Sequence, residues 1–183
     1  MDINLFVNIT SRAWSLPILA QLHAGVPGRQ APLLTATGAS RTAFAQSMEH
    51  LMQIGLLERN PGHGHPLRPE FRLTPLGHKA AALAHLINAV STPAHQPLLR
   101  RSWTLPILTS LHRPRHFNDL RRTLTPITDR ALSQSLKSME ERQWIDRHVD
   151  DMARPPRALY TAINTGHAIS QVTASKVRFA DGP

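Results

Sequence analysis

The sequence predicts a mainly α fold with small β-hairpins, an α+β chain built as two tandem domains of one kind. Three observations carry this. First, Arg12-Ala13-Trp14-Ser15-Leu16-Pro17-Ile18-Leu19-Ala20-Gln21-Leu22-His23 returns as Arg101-Ser102-Trp103-Thr104-Leu105-Pro106-Ile107-Leu108-Thr109-Ser110-Leu111-His112, with eight of twelve positions identical at a spacing of 89 residues. Solenoid units run only about 20–50 residues, so this spacing suits two small domains instead. Second, each half keeps a helical apolar period and then switches to the alternation of strands. Third, the composition is globular, with 41% hydrophobic and 18% charged residues among 183.

Composition also narrows the function. The net charge is +9 with His neutral. Such a balance attracts polyanions, whether nucleic acid or an acidic membrane surface. The charge is uneven. Residues 1–95 hold seven Lys+Arg against four Asp+Glu, while residues 96–183 hold fourteen against eight. There is no cysteine, which excludes disulfides, thiolate catalysis, thiol redox sensing and cysteine zinc sites. The apolar stretches are interrupted by His, Asn or Pro, so no membrane span is expected. Met1-Asp2-Ile3-Asn4 lacks the basic start of a signal peptide, and a cytoplasmic, nucleoid-associated location is expected.

The second half reads as helix, short strand, helix, turn, helix, hairpin, helix. Trp103, Ile107, Leu108 and Leu111 share a helical spacing, and Pro106 is tolerable only in a first turn. His116-Phe117 suits a short extended piece. Asn118 is the expected N-cap of a two-turn helix to Leu124, which Thr125-Pro126 breaks. Thr128 caps the next helix, expected over about 128–142, with Asp129 at the positive end of its dipole. Trp144–Val149 and Ala158–Ala162 are strands, and a closing helix begins near Asn164 and extends toward Phe179.

The first half follows the same order. Trp14–His23 opens it, Pro32–Ala36 is a short helix, and Ser40 caps a helix over about 40–54 that Gly55 ends. Residues 56–59 and 71–73 are strands around a tip from Asn60 to Glu70. An Ala-rich helix spans about 75–90. The expected domains are 1–92 and 100–183, with a linker at 93–99.

Closely spaced helices followed by a basic hairpin resemble a winged helix-turn-helix. At residue level the second half resembles the HxlR-type family of bacterial regulators, relatives of the MarR type. The resemblance rests on Trp103-Thr104-Leu105-Pro106-Ile107-Leu108, then Arg115-His116-Phe117-Asn118-Asp119-Leu120-Arg121-Arg122, then Leu132-Ser133-Gln134-Ser135-Leu136-Lys137. It continues through Pro155-Pro156-Arg157-Ala158-Leu159-Tyr160 to Gly166. In the first half, Trp14–Leu19 and Phe71-Arg72-Leu73-Thr74-Pro75-Leu76-Gly77 resemble the family too. The middle departs, with Arg29-Gln30-Ala31-Pro32-Leu33-Leu34 where the family has its Phe-Asn-Glu/Asp-Leu-Arg-Arg segment. Members usually carry one such domain and dimerise on roughly palindromic DNA. Two domains in one chain imply a single-chain pseudo-dimer, or a homodimer holding four.

Candidate DNA-binding residues follow. If Leu132, Leu136 and Met139 pack inward, the helix begun at Thr128 presents Arg130, Ser133, Gln134, Lys137 and Glu141 outward. Arg reads guanine and Gln reads adenine bidentately, and Lys137 suits a phosphate or guanine. Arg121 and Arg122 lie on the helix that crosses the backbone in this motif. Arg154 and Arg157 belong to the wing. In the first half Arg41, Thr42, Ala45, Gln46 and Glu49 occupy the outer face, with Glu49 where Lys137 stands, and that face reads DNA or contacts protein.

Other features have blander readings. His63 and His65 are too few to hold a metal, so neither a metal nor a cofactor is expected. His23 and His112 suit helix C-termini. Trp14 and Trp103 are expected as core anchors. Leu83, Leu86, Ile87 and Val90 suit a helix–helix interface, or an effector pocket. No catalytic constellation is present, so an enzyme is not expected. The expected function is sequence-specific binding of double-stranded DNA by a transcriptional repressor, with a small-molecule effector left open. A protein-interaction scaffold and non-specific architectural DNA binding are the alternatives.

Overall fold

A computed structural model describes residues 1–60, 69–150 and 154–179. The chain forms two compact units. The N-unit is Arg12–Ala89, and the C-unit joins Met1–Ser11 to the chain from Val90 onward. These units differ from the boundary expected at residue 92, because the first helix sits with the second repeat.

In the N-unit, α2 (Ser15–His23) is followed by α3 (Gln30–Thr37), α4 (Arg41–Gln53), the hairpin β1 (Leu57–Asn60) and β2 (Glu70–Leu73), and α5 (Pro75–Ala89). Ser40 caps α4 as expected, its Oγ accepting from Ala43 N at 3.3 Å. Phe44, Met48 and Leu51 are buried, so the apolar stripe chooses which side of α4 faces in. Gly55 ends the helix at φ +72°, a conformation that costs a glycine least. β1 and β2 pair antiparallel with Leu57 opposite Leu73. α5 packs on α2 and buries Ala80, Ala81, Leu83, Ala84 and Ile87. Leu86 is exposed and Val90 half-buried, so only Leu83 and Ile87 of that apolar set are core residues.

The C-unit begins with α1 (Ile3–Thr10), capped by Asp2 Oδ1, which accepts from Leu5 N at 2.9 Å. Its Ile3, Phe6 and Ile9 are buried, and it packs on α7 (Thr104–Ser110). Backbone bonds fasten its start to the far end of the chain. Ile3 N donates to Arg178 O at 2.9 Å, and Arg178 N donates to Met1 O at 2.8 Å. The segment expected as a linker is helical: a 3₁₀ turn, Pro93–His95, leads into α6 (Gln96–Leu99), with Leu98 and Leu99 buried.

After α7 come β3 (Arg115–His116), α8 (Phe117–Thr123), α9 (Asp129–Glu140), β4 (Ile145–Asp150), β5 (Arg157–Ala162) and α10 (Asn164–Ala174). β3, β5 and β4 form an antiparallel sheet in that order. Asn118 is not the cap of α8. The helix starts at Phe117, and His116, held extended opposite Leu159, is the capping residue. Strand pairing therefore overrides the local capping preference. α9 and α10 are shorter than expected, ending at Glu140 and Ala174. Trp14 and Trp103 are half-buried N-cap residues rather than core anchors, whereas Trp144 is 3% exposed.

One packing device recurs. A Cβ on Gly77 of α5 would lie 2.0 Å from Leu56 O, and one on Gly166 of α10 would lie 2.0 Å from Trp144 O. In both units the closing helix meets the entry of the hairpin at backbone distance, which only glycine permits.

Candidate nucleic-acid interface

The C-unit presents α9 with an amphipathic division. Leu132, Leu136 and Met139 are buried, while Arg130, Ser133, Gln134, Lys137 and Glu141 are exposed. Thr128 caps the helix, its Oγ1 accepting from Ala131 N at 3.2 Å. Asp129 occupies the first helical position, where a carboxylate favours the dipole. These residues stand where the sequence pattern puts them, because the buried stripe leaves one outward register for a helix of 3.6 residues per turn.

Arg121 and Arg122 are exposed on α8, and each has a carboxylate partner. Arg121 Nε lies 2.9 Å from Asp129 Oδ1, and Arg122 pairs with Asp119. Exposed pairs of this kind contribute about 0–1 kcal/mol, so neither holds its arginine firmly against a phosphate. The sequence shows only part of this pairing. An i, i+3 rule flags Asp119 and Arg122, but the Arg121–Asp129 pair depends on the turn between α8 and α9. Arg101 makes a further link of this kind. Its Nη1 donates to Ser138 Oγ at 2.7 Å, tying the start of α7 to α9.

The wing is the β4–β5 hairpin. Arg154 and Arg157 are exposed, and Arg157 registers opposite Asp150. His116 braces the hairpin from β3. Its Nδ1 lies 3.1 Å from Ala158 O, and its Nε2 lies 3.4 Å from Asp150 Oδ2. The side chain thus reaches from β3 past Ala158 of β5 to Asp150, the last residue of β4. Arg115, beside it, is not an outward reader. Its Nε donates to Ser110 O at 2.9 Å, and its guanidinium lies 5.9 Å from the Phe179 ring centroid. Burial first, and then the neighbouring Arg113, lower its pKa, while Asp119 raises it.

The N-unit repeats the geometry with other chemistry. Arg41, Thr42, Ala45, Gln46 and Glu49 are exposed on α4. Leu33 is the buried leucine of α3, as Leu120 is of α8. Arg121 and Arg122 therefore face Leu34 and Thr35 in register, one residue on from the Leu33-Leu34 match suggested by sequence alone. Arg72, on β2, is paired with Glu70 at 2.8 Å. His23, the last residue of α2, packs against His85 with ring centroids 4.9 Å apart and the rings tilted by 40°. His112 instead lies beyond the end of α7 and stacks on Phe179 at 5.6 Å.

His63 and His65 lie outside the described residues. Among the described residues no group of three or more His, Asp or Glu could hold a metal ion. No described helix is long and apolar enough to cross a membrane.

Two helices joined by a tight turn, the second with a polar outer face, followed by a hairpin with basic residues: this arrangement defines the winged helix-turn-helix class of DNA-binding domains. The description "HxlR-like helix-turn-helix" matches the chain twice, over residues 9–95 and 98–181. The chain belongs to that family of DNA-binding transcription regulators, as a tandem duplication of its domain. No individual curated protein matches the chain at a significant level.

Proposed function

We propose that the chain is a sequence-specific transcriptional repressor that occupies promoter DNA in the cytoplasm, the C-unit supplying most of the reading. α9 enters the major groove, where Arg130, Ser133, Gln134 and Lys137 meet base edges or phosphates. Thr128, at the helix start, lies with Arg121 and Arg122 along the phosphate backbone. Arg154 and Arg157 extend the contact through the wing. In the N-unit, Arg41, Thr42 and Gln46 on α4 make the second contact, so one chain serves as its own pseudo-dimer.

The observation that carries this reading is the outward register of α9. Four polar groups able to meet bases or phosphates are exposed on a capped helix whose other side is buried. The α8 arginines stand beside its start. A protein-interaction scaffold has no use for such a basic, hydrogen-bonding face.

The test compares affinity for the gene's own upstream duplex with affinity for random duplex across a salt series. The reading expects an affinity that falls steeply with salt, and a preference for the upstream duplex of about 10³-fold or more. A ratio near one indicates architectural binding. No retention of duplex DNA at low salt removes both DNA readings.

A further inference from the structure

The two recognition helices begin alike. Ser40 and Thr128 are extended capping residues with φ/ψ of −66°/151° and −84°/153°, each accepting from the third backbone N–H of its helix. Phe44, Met48 and Leu51 are buried on α4 as Leu132, Leu136 and Met139 are on α9. The outward positions therefore correspond one to one. Arg41 stands at Asp129, Thr42 at Arg130, Ala45 at Ser133, Gln46 at Gln134 and Glu49 at Lys137. Gln46 is kept in register while the charges at either end are reversed.

Those reversed charges do nothing for α4 itself. Arg41 sits in the first turn, where the dipole disfavours a cation. Glu49 has Ala45, Gln46, Met52 and Gln53 at its i±3 and i±4 neighbours, so no helical ion pair forms. Among the described residues neither Arg41 nor Glu49 has an ion-pair partner, and both are exposed. A carboxylate turned toward a duplex is repelled by phosphates, and its favourable partner on a base edge is the amino group of cytosine.

We infer that the two helices read unlike half-sites, so the operator is not a palindrome: Glu49 selects cytosine in the half-site of α4, and Lys137 contacts guanine or phosphate at the matching place in the half-site of α9. This rests on the DNA-binding reading above and adds to it a partner, duplex DNA with two dissimilar half-sites, and a residue that sets the difference. Gln46 and Gln134, common to both helices, account for any feature the half-sites share.

The test is selection from randomised duplex DNA with the full chain, run on the wild type and on Glu49→Gln and Glu49→Lys. The wild type is expected to enrich two unlike half-sites. Glu49→Gln relaxes one cytosine in one half-site, where discrimination against the other bases falls by about 5- to 150-fold, and leaves the other half-site unaltered. Glu49→Lys brings the two faces closer in charge and raises affinity for a palindrome made of two α9 half-sites. A palindrome enriched by the wild type overturns the inference and leaves the regulator reading intact. So does a selected sequence indifferent to both Glu49 variants, the result expected if α4 contacts protein. Failure of the wild type to enrich any sequence overturns the regulator reading, and this inference with it.

Discussion

The N-unit and the C-unit are two solutions to one packing problem, and they differ where packing places no demand. Both close a helix against the hairpin entry through a glycine, Gly77 and Gly166. Both bury a leucine on the helix before the recognition helix, and both cap the recognition helix with a hydroxyl. The outward residues follow no such rule. α8 carries Arg121 and Arg122 where α3 carries Leu34 and Thr35, and Lys137 stands against Glu49. A core position is constrained by volume and by neighbours that cannot move, whereas an exposed position is constrained only by what binds there. The duplication therefore separates the conserved packing from the divergent exposed faces within a single molecule.

The interiors differ in a second way. α5, which packs on α2, buries Ala80, Ala81 and Ala84 beside Leu83 and Ile87, whereas α10, which packs on α7, buries Ile169, Ser170 and Thr173. Thr173 Oγ1 is satisfied by Ile169 O at 2.9 Å. Among the described residues Ser170 Oγ has no hydrogen-bond partner, and neither have Thr104 Oγ1 and its counterpart Ser15 Oγ. Hydroxyls buried in this way cost about 1–3 kcal/mol each.

The largest expected effect tests the difference between the reading faces. Replacing Arg121, Arg122 and Lys137 together by alanine should lower the salt dependence of log K for duplex DNA by about 2 to 3, one for each phosphate no longer neutralised, with Lys137 counting only where it meets a phosphate. Replacing Arg41, Thr42 and Gln46 should lower it by about 1, because only Arg41 is a cation. Filter binding or fluorescence anisotropy over a salt series measures both. Equal slopes for the two triple variants would erase the asymmetry.

Next come the glycines. Gly77→Ala and Gly166→Ala should each destabilise its unit by about 1–3 kcal/mol, since a methyl must displace backbone. Denaturant midpoints measure this, and an unchanged midpoint in either unit would show that its closing helix does not meet the hairpin at backbone distance. A smaller effect should have the opposite sign. Ser170→Ala gives the C-unit the residue that the N-unit has at Ala81, and should stabilise it by about 1 kcal/mol by removing an unsatisfied hydroxyl.

The smallest effect concerns the end of the recognition helix. Gly55 at φ +72° corresponds to Gln143 at φ +56°. Gln143→Gly should stabilise the C-unit by about 1 kcal/mol, because only a residue without Cβ adopts that conformation freely. A lower midpoint would mean that the Gln143 side chain contributes more than its backbone conformation costs.

Much of this was legible in the sequence, for physical reasons that can be named. Ser40 and Thr128 are readable as caps because capping depends on a side chain and a backbone N–H three residues away. The outward faces of α4 and α9 are readable because the apolar stripe fixes their rotation. Asn118 misled because its capping preference is weaker than the strand pairing that keeps His116 extended. Trp14 and Trp103 misled because an aromatic side chain at a helix start need be covered on only one side.

By itself the sequence determined the repeat, the order of helices and hairpins, and the residues that line each helix face, all of which are local or periodic properties. Only the tertiary structure decided which pieces belong together. It joined α1 to the C-unit through bonds between residues 175 and 177 positions apart. It paired Arg121 with Asp129, and it braced the wing with His116. No periodic pattern encodes such contacts. They form between groups that different elements bring together once the cores have packed, and the same packed cores leave the exposed faces free to diverge.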